Sequence, residues 1–370
     1  MDSPKPAPVV VAAGGTGGHL FPAAALAGVL GERGIPVHLA TDRRAVQFGD
    51  AFSNDATHVI ASATVRSRNP LALAQTAAML GYGFTQAWAL IGRLRPAAVI
   101  GFGGYPTVPP VLAATWRGVP SLIHDANAVV GRANRLLAPR VDAIATTFPD
   151  IFANAPQLAA KATLTGNPVR SAVVAAAATA YDPPGEELRL VVFGGSQGAR
   201  IMADIVPAAI TKLDPGLRAR LRIVQQAREE DLPRVQKAYA SLPVPAEVAP
   251  FFADLPARIA ASHLVVSRSG ASTVAELAAI GRPSILVPLP HALDQDQFAN
   301  AGVLDRAGGA IRIVQEAFTP QRLAAELAAL AAAPQRLAAM PAAARSLGRI
   351  NAADRLADLV LAVARRDATK

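Results

Sequence analysis

The strongest constraint on the fold is a short apolar strand that runs into a glycine-rich turn, and the chain contains this combination twice. Residues Val9–Ala13 precede the turn Gly14–His19, and residues Leu188–Phe193 precede the turn Gly194–Ala199. Glycines let the backbone approach a ligand closely, and the start of a following helix offers N–H groups to an anion. Two such units in a chain of 370 residues predict two domains with one anion-binding turn each.

Short β-branched runs alternate with longer alanine-rich segments throughout the chain. This alternation indicates βαβ units on parallel sheets. We therefore predict an α/β protein of two doubly wound Rossmann-like domains that face a cleft, with ligands beyond the carboxyl ends of the strands. The predicted parts are an N-terminal domain, a linker rich in Pro and Gly, a C-terminal domain and a final helical segment, at residues 1–165, 166–187, 188–340 and 341–370.

Composition narrows the possible partners. The formal net charge of +9 favours an anionic partner, such as a phospholipid or a phosphorylated ligand. Nucleic acid is not expected, because Lys and Arg are scattered, aromatic residues make up only 5%, and no recognition motif is present. The lack of cysteine excludes disulfides, cysteine nucleophiles and cysteine-type zinc sites.

One uncharged stretch, Leu71–Gly92, approaches the length of a membrane-spanning helix. It contains Gly81 and Gly83 together with the amides of Gln75 and Gln86. Paired glycines and amides favour a buried or surface-lying helix over a spanning one.

His19 stands at the start of the helix that follows the first glycine turn. The positive end of a helix disfavours the charged imidazole, so a neutral ring there is a candidate general base. The turn is not G-x-G-x-x-G, because Leu20 occupies the place of the third glycine. Asp42 beside Arg43 still keeps a nicotinamide-dependent oxidoreductase open, because a ribose-binding acid lies at that point in such enzymes.

The segment Ser267–Glu276 passes from a strand through small hydroxyl residues and glycine into a helix. Such a helix start can hold a diphosphate, and Glu276 could bind ribose hydroxyls. Further on, Asp294 and Asp296 form an Asp-x-Asp pattern that can hold a divalent metal. Because helix starts can neutralise a diphosphate themselves, we expect no metal and no cofactor, and we expect Asp294 or Gln297 to bind sugar hydroxyls.

Together these segments resemble the lipid I N-acetylglucosaminyltransferase (MurG) family of peptidoglycan synthesis. The matching segments occur in the family's order and are Gly14–His19, Gly101–Tyr105, His124–Arg135, Thr165–Arg170, Gly194–Ala199, Ser267–Glu276 and Gln297–Ala301. The resemblance implies the GT-B fold and an inverting transfer from UDP-N-acetylglucosamine to undecaprenyl-diphospho-muramoyl-pentapeptide. It also implies peripheral attachment to the anionic surface of the inner membrane, at its cytoplasmic face.

The resemblance assigns roles to individual residues. His19 is the implied base, Tyr105 and Asp125 are candidates for the acceptor side, and Phe252 falls at a position that packs on the uracil. The family commonly has Glu-Gln where this chain has Asp125 and Ala126. The other implied substrate contacts are Thr16, Gly17, Gly18, Asn127, Arg170, Ser196, Ala271, Ser272, Thr273, Val274, Ala275, Glu276 and Gln297.

The resemblance also implies an apolar membrane-binding patch within the uncharged stretch. Its apolar members are Met79, Leu80, Tyr82, Phe84 and Trp88, with Trp116 adjoining, and its basic members are Arg66, Arg68, Arg93 and Arg140. Two further alternatives to a transferase stay open. One is a UDP-sugar 2-epimerase on a related fold, and the other is a nucleotide-sugar sensor or scaffold that binds its ligand without turnover.

Overall fold

The computed structural model describes residues 6–14, 17–43, 52, 56–64, 69–195 and 198–367. These residues form two units, each built around its own parallel sheet. The first unit comprises the chain up to Arg170 together with the residues from Asn351 onward, and the second comprises Ser171–Ile350. The predicted α/β class and doubly wound sheets are confirmed.

The first unit contains a sheet of seven strands in the order β3-β2-β1-β4-β5-β6-β7. The strands are β1 (Val9–Ala12), β2 (Val37–Thr41), β3 (Thr57–Val59), β4 (Ala98–Gly101), β5 (Ser121–Asp125), β6 (Ala143–Thr146) and β7 (Ala162–Leu164). Its helices are α1 (Gly17–Glu32), α2 (Pro70–Leu94), α3 (Val108–Trp116), α4 (Arg132–Leu137) and α5 (Pro156–Ala159), together with α15 (Ala352–Asp367) from the end of the chain.

Strand β1 shows why the sheet is covered on both faces. All four of its residues are buried. Val9 and Val11 pack in the cluster that contains the apolar residues of α1 and α15, whereas Val10 and Ala12 pack in the cluster formed with α2 and α3. A strand buried on both faces reads as a continuous apolar run, as the sequence Val-Val-Val-Ala does.

The second unit repeats this plan with six strands in the order β10-β9-β8-β11-β12-β13. The strands are β8 (Leu188–Phe193), β9 (Leu221–Gln226), β10 (Ala246–Ala249), β11 (Leu264–Ser267), β12 (Ser284–Leu286) and β13 (Ala310–Arg312). The helices are α6 (Ser171–Ala177), α7 (Arg200–Ile210), α8 (Pro215–Arg220), α9 (Leu232–Ala240), α10 (Leu255–Ala261), α11 (Ala271–Ile280), α12 (Asp296–Ala307), α13 (Pro320–Ala332) and α14 (Pro334–Leu347).

Two boundaries differ from the expected ones. The segment 341–370, predicted as one helical piece, is divided between the units, because α15 buries its apolar face in the first unit's core and Arg33 pairs with Asp354 and Asp358 at 3.1 and 2.6 Å. The predicted linker is largely part of the second unit. Buried Arg282 donates hydrogen bonds to the carbonyl oxygens of Thr179 and Ala180 and so fixes this stretch to the unit.

Both sheets reverse their strand order beside the first strand, between β1 and β4 and between β8 and β11. At such a point the loops leave in opposite directions, which opens a crevice at the carboxyl ends of the strands. Each glycine turn follows the strand at this point. Within the described residues no helix has the length and apolarity needed to cross a membrane, and this includes α2.

Candidate functional site

His19 lies in the first turn of α1, at the point where the first sheet reverses its strand order. Its ring packs on the turn that follows β4. A Cβ atom on Gly103 would lie 3.3 Å from His19 Cε1, and one on Gly104 would lie 3.6 Å from His19 Nε2. Both glycines have positive φ, +91° and +75°, which favours glycine. The turn therefore gives the imidazole a close, side-chain-free surface.

The environment of His19 favours the neutral imidazole. Burial lowers its pKa below the usual value of 6.5, although the backbone of Phe102 favours the protonated form. A neutral ring can accept a proton near neutral pH. His19 therefore lies at the helix start, as the sequence indicated, and its role as a general base stays a prediction.

A second histidine, His124, lies at the end of β5 and was not predicted as a site residue. It is fully buried, its Nε2 atom is 3.1 Å from the carbonyl oxygen of Gly166, and its ring lies 5.3 Å from that of Phe102. Burial lowers its pKa to about 4, and His19 contributes in the same direction. His124 is therefore neutral at physiological pH. Its Nε2–H group donates to the carbonyl oxygen of Gly166, and this bond fixes the ring in place.

Asp125 is engaged inside the loop that follows β5. Its carboxylate accepts hydrogen bonds from the backbone N–H groups of Asn127 and Gly131, at 3.2 and 3.0 Å, and from Asn134 Nδ2 at 3.0 Å. The residue is only 1% exposed. These bonds hold the loop that carries Asn127, and the place of Asp125 on the acceptor side stays a prediction. The Asp side chain is shorter than the Glu that the family commonly has, and it fits this role because its hydrogen-bond donors follow closely in the sequence.

Arg170 is brought to the start of α1 through an aromatic residue that the sequence analysis missed. Its guanidinium lies 5.2 Å from the ring centre of Phe21. Phe21 in turn packs so closely on Gly17 that a Cβ there would be 2.9 Å from Phe21 Cε2. Gly18 and Tyr105 are half-buried near this end of the sheet. Of the predicted residues, Thr16 and Ser196 lie outside the described residues.

In the second unit, α11 begins directly after Gly270 at the carboxyl end of β11. Ser269 Oγ donates to the carbonyl oxygen of Gln297 at 2.8 Å, and Asn300 Nδ2 donates to the carbonyl oxygen of Ser269 at 3.3 Å. The Oγ atom of Ser272 is buried and has no hydrogen-bond partner among the described residues. The free N–H groups of the first turn and this hydroxyl form a cradle suited to an anion.

The other predicted residues of α11 contribute in different ways. Ala271, Thr273 and Ala275 are half-buried, whereas Val274 is fully buried and packs in the interior. Glu276 is 8% exposed, so little of its carboxylate is open. The structure thus brings these residues together in the first turns of one helix.

Gln297 is oriented by the loop before α12. Its Oε1 atom accepts from the backbone N–H of Leu289 at 3.1 Å, which leaves its NH₂ group suited to donate to a ligand oxygen. The neighbouring Asp296 Oδ1 accepts from the backbone N–H of Gln297 at 2.6 Å. Burial raises the pKa of Asp296, and the charge of Asp294 adds to this effect.

Phe252, which the resemblance places against the uracil, is a covered residue in the structure. Its ring is only 8% exposed and is covered by Arg258, whose guanidinium lies 4.5 Å from the ring centre. The preceding Phe251 is 73% exposed. Beyond the end of β10 the two adjacent side chains point in different directions, and the ring open to a planar ligand is that of Phe251.

Comparison with known proteins gives consistent matches over both units. The glycosyltransferase family 28 N-terminal domain matches residues 9–146, and the glycosyltransferase family 28 C-terminal domain matches residues 189–358. A relative from Rhodopseudomonas palustris is 65% identical, with 96% of this chain and 98% of the relative covered. One from Nitrobacter hamburgensis is 61% identical, with 97% and 98% covered. Both relatives are named UDP-N-acetylglucosamine–N-acetylmuramyl-(pentapeptide) pyrophosphoryl-undecaprenol N-acetylglucosamine transferase.

Solved structures agree. The crystal structure of MurG from Acinetobacter baumannii matches with a TM-score of 0.79 and 29% identity, covering 96% of this chain and 99% of that one. A UDP-GlcNAc 2-epimerase from Neisseria meningitidis, bound to UDP-GlcNAc, matches with a TM-score of 0.69 at 14% identity and covers 95% and 99%. The second likeness is one of fold alone.

Proposed function

This chain belongs to glycosyltransferase family 28, in the group of UDP-N-acetylglucosamine–N-acetylmuramyl-(pentapeptide) pyrophosphoryl-undecaprenol N-acetylglucosamine transferases, and we propose how its residues carry out that reaction. It transfers N-acetylglucosamine from UDP-N-acetylglucosamine to the lipid-linked N-acetylmuramyl-pentapeptide. The predicted family, enzyme class and GT-B fold are confirmed. Neither the epimerase nor the oxidoreductase alternative is needed to account for these matches.

His19 acts as the general base in this proposal. Its neutral imidazole takes the proton of the acceptor's 4-hydroxyl, and the oxygen attacks the anomeric carbon of N-acetylglucosamine. The bond from that carbon to the diphosphate oxygen breaks on the opposite face, so UDP leaves with the electron pair and the configuration inverts. The observation that carries this role is the position of the ring, at the helix start and against two glycines, where burial lowers its pKa. A positioned base contributes about 10²–10⁴-fold to the rate.

The donor site is proposed at the start of α11. Backbone N–H groups of the first turn and Ser272 would bind the diphosphate, where the positive end of the helix stabilises the charge that develops on the leaving group. Arg170 would add a cation, and Gln297 and Asn127 would bind hydroxyls of the sugar. The remaining proposed donor contacts are Thr16, Gly17, Gly18, Ser196, Ala271, Thr273, Val274, Ala275 and Glu276, with Tyr105 on the acceptor side. For the uracil we propose the exposed ring of Phe251 in place of the covered ring of Phe252.

The test is transfer of labelled N-acetylglucosamine from its UDP donor to a lipid-linked muramoyl-pentapeptide. For His19→Ala we expect kcat to fall by about 10²–10³-fold while the KM for the donor stays within threefold. His19→Gln keeps a hydrogen-bonding side chain that cannot take a proton, and it should be equally slow. Near-normal turnover of either variant would refute the base role.

Exposed apolar side chains on α2 and α3 support a second proposal, peripheral binding to the anionic surface of the inner membrane at its cytoplasmic face. Leu71, Tyr82 and Trp116 are 67%, 60% and 70% exposed. Phe84 lies beneath, with its ring 5.8 Å from Trp88 and 5.3 Å from Trp116. Large exposed apolar side chains near cations fit a headgroup interface.

One cation lies against these rings, and it is Arg117, which the sequence analysis did not include in the patch. The Arg117 guanidinium lies 4.2 Å from the centre of the Trp88 ring, and Arg93 lies in the last turn of α2. Arg140 caps α4 through the carbonyl oxygen of Leu136, while Arg66 and Arg68 lie outside the described residues. These cations would attract anionic headgroups.

Sedimentation with vesicles tests the membrane proposal. We expect Trp116→Ala to weaken partition into phosphatidylglycerol vesicles by roughly tenfold, because an interfacial indole is lost. Ile350→Ala is the matched control, since this side chain is 53% exposed on the second unit. Equal binding of wild type and Trp116→Ala, or equal binding to neutral and anionic vesicles, would refute the proposal.

A further inference from the structure

A groove of about 1010 Å³ lies in the first unit, between α2 and the ends of β2 and β3. Its lining is mainly apolar and includes Ile60 and Ala63, which follow β3, and Met79 and Tyr82 of α2. A cavity of this volume is at the upper end of those that hold small ligands. No step of the proposed transfer uses it.

The floor of the groove is fixed by backbone bonds. The N–H of Ile60 donates to the carbonyl oxygen of Thr41 at 2.7 Å, and the N–H of Ala61 donates to Gln86 Oε1 at 2.8 Å. Gly83 is required here, because a Cβ on this residue would lie 1.9 Å from the carbonyl oxygen of Ala61. These contacts hold the segment after β3 against α2, so the groove is formed before any ligand arrives.

We call the part of the groove at Asp42 and Arg43 its inner end and the part at Met79 and Tyr82 its outer end. At the inner end, Asp42 Cγ lies 3.5 Å from where a Cβ on Gly14 would be, and Gly14 begins the glycine turn before His19. At the outer end, Met79 and Tyr82 are 45% and 60% exposed and belong to the apolar face of α2. Arg43 is exposed at the inner end.

We propose that this groove binds the first isoprene units of the acceptor's lipid chain, an inference that rests on the proposed function. The acceptor joins its sugar through a pyrophosphate to a polyprenol, so its sugar must reach His19 while its chain extends toward the membrane. The groove connects these two places with a mainly apolar surface, on which a hydrocarbon chain is favoured over water. Arg43 supplies a cation where the pyrophosphate would lie.

The experiment compares two acceptors in detergent solution without vesicles. Both carry the muramoyl-pentapeptide and pyrophosphate, but one has a long isoprenoid chain and the other a single isoprene unit. For wild type we expect the KM of the long-chain acceptor to be at least tenfold lower. Ala63→Trp fills the groove, so it should raise the KM of the long-chain acceptor about tenfold and that of the short acceptor less than twofold. The donor KM should not change.

Ala74→Trp is the matched control, because it makes the same change at an exposed position of α2 outside the groove, and both KM values should stay at wild-type levels. If Ala63→Trp does not fold, Met79→Ala removes lining without adding bulk and should raise only the long-chain KM, by about threefold. A long isoprenoid carrying a photoreactive group should label residues 59–64.

Several results would overturn the inference. Equal KM values for the two acceptors in wild type would mean that no site for the chain exists. Equal losses with both acceptors in Ala63→Trp would mean that the groove only supports the fold. The same Ala63→Trp variant can be sedimented with phosphatidylglycerol vesicles, and weaker sedimentation with unchanged KM values would assign the groove to membrane phospholipid. Absence of transfer from UDP-N-acetylglucosamine to either acceptor would instead refute the proposed function.

Discussion

The imidazole of His19 rests on Gly103, with Cε1 only 3.3 Å from the position that a Cβ on residue 103 would take. Because φ is +91° there, an alanine would both strain the turn and press on the ring. We expect Gly103→Ala to lower kcat at least tenfold and the free energy of unfolding by about 1–2 kcal/mol.

Gly118→Ala provides the control for this strain. Gly118 has a φ of +69°, but no atom lies within 4 Å of its Cβ position. In Gly118→Ala the free energy of unfolding, measured in urea, should fall by a comparable amount, and kcat per folded molecule should not change. Equal kcat losses in the two variants would show that strain, rather than the position of His19, causes the effect.

The pH profile of transfer should report the neutral state of His19. Burial lowers its pKa below 6.5, so the base stays unprotonated as the pH falls toward that value. We expect kcat/KM to be constant at the alkaline side of neutrality and to fall in acid with a midpoint under 6.5, a step that is absent in His19→Gln. A midpoint above 7 would be inconsistent with a depressed pKa.

His263 should make the second unit less stable in acid. It is 1% exposed, and its Nδ1 atom accepts a hydrogen bond from the backbone N–H of Arg189 at 2.9 Å. Burial is the main cause that lowers its pKa to about 4, and the charge of Arg189 assists. Below pH 6.5 the unfolded chain binds a proton that the folded one does not, so stability is lost as the pH falls from 6.5 toward 4.

The size of this loss can be isolated with His263→Asn, which keeps an acceptor for Arg189 but does not titrate. We expect one such histidine to remove about 2 kcal/mol of unfolding free energy between pH 7.5 and 5. The unfolding free energies measured in urea at pH 7.5 and at pH 5 should therefore differ by about 2 kcal/mol less in the variant than in wild type. Identical pH dependence in both proteins would contradict the depressed pKa.

Much of the fold could be predicted because its signals are local. The β-branched strands, the helical segments and the glycine turns each specify their own conformation, and their alternation indicates parallel sheets. The path of α15 could not be predicted, because an amphipathic pattern shows that a face is buried but not against which partner. The burial of Leu356 and Val360 in the first unit's core reveals it, together with the pairing of Arg33 with Asp354 and Asp358.

The site was predicted less completely, for a related reason. His19 was identifiable from the sequence because the positive end of a helix disfavours a charged imidazole, and the glycine turn shows where that helix starts. The role of Asp125 depends on donors at Asn127, Gly131 and Asn134, which only the path of the loop brings together. Which of Phe251 and Phe252 faces outward depends on how the chain leaves β10.

Substitutions of Phe251 and Phe252 should separate uracil binding from the stability of the fold. If the exposed Phe251 stacks on the uracil, Phe251→Ala should raise the donor KM roughly tenfold, in line with about 1–3 kcal/mol per stacked base. Phe252→Ala should leave the KM near wild type and lower the unfolding free energy by about 3 kcal/mol, because a buried ring is lost. Donor titrations and urea unfolding on both variants would decide, and the reverse pattern would restore Phe252 as the stacking residue.

The loop after β5 should depend on the charge of Asp125. Its carboxylate accepts three N–H groups, and an amide in its place would turn a donor toward at least one of them. We expect Asp125→Asn to speed hydrogen exchange at Asn127 and Gly131 by about tenfold or more, in line with a loss of about 1.5–3 kcal/mol for such bonds, and to lower kcat/KM by a similar factor.

Asp142→Asn is the matched control for this loop, because Asp142 accepts from the backbone N–H of Ser121 at 2.8 Å at the opposite end of the same strand. The same substitution there should speed exchange at Ser121 and leave transfer unchanged. A loss of kcat/KM in Asp125→Asn without faster exchange at Asn127 would instead indicate that the carboxylate contacts the acceptor directly, as the resemblance implied. Faster exchange with full activity would show that the ordered loop, and Asn127 with it, is not required for binding the donor sugar.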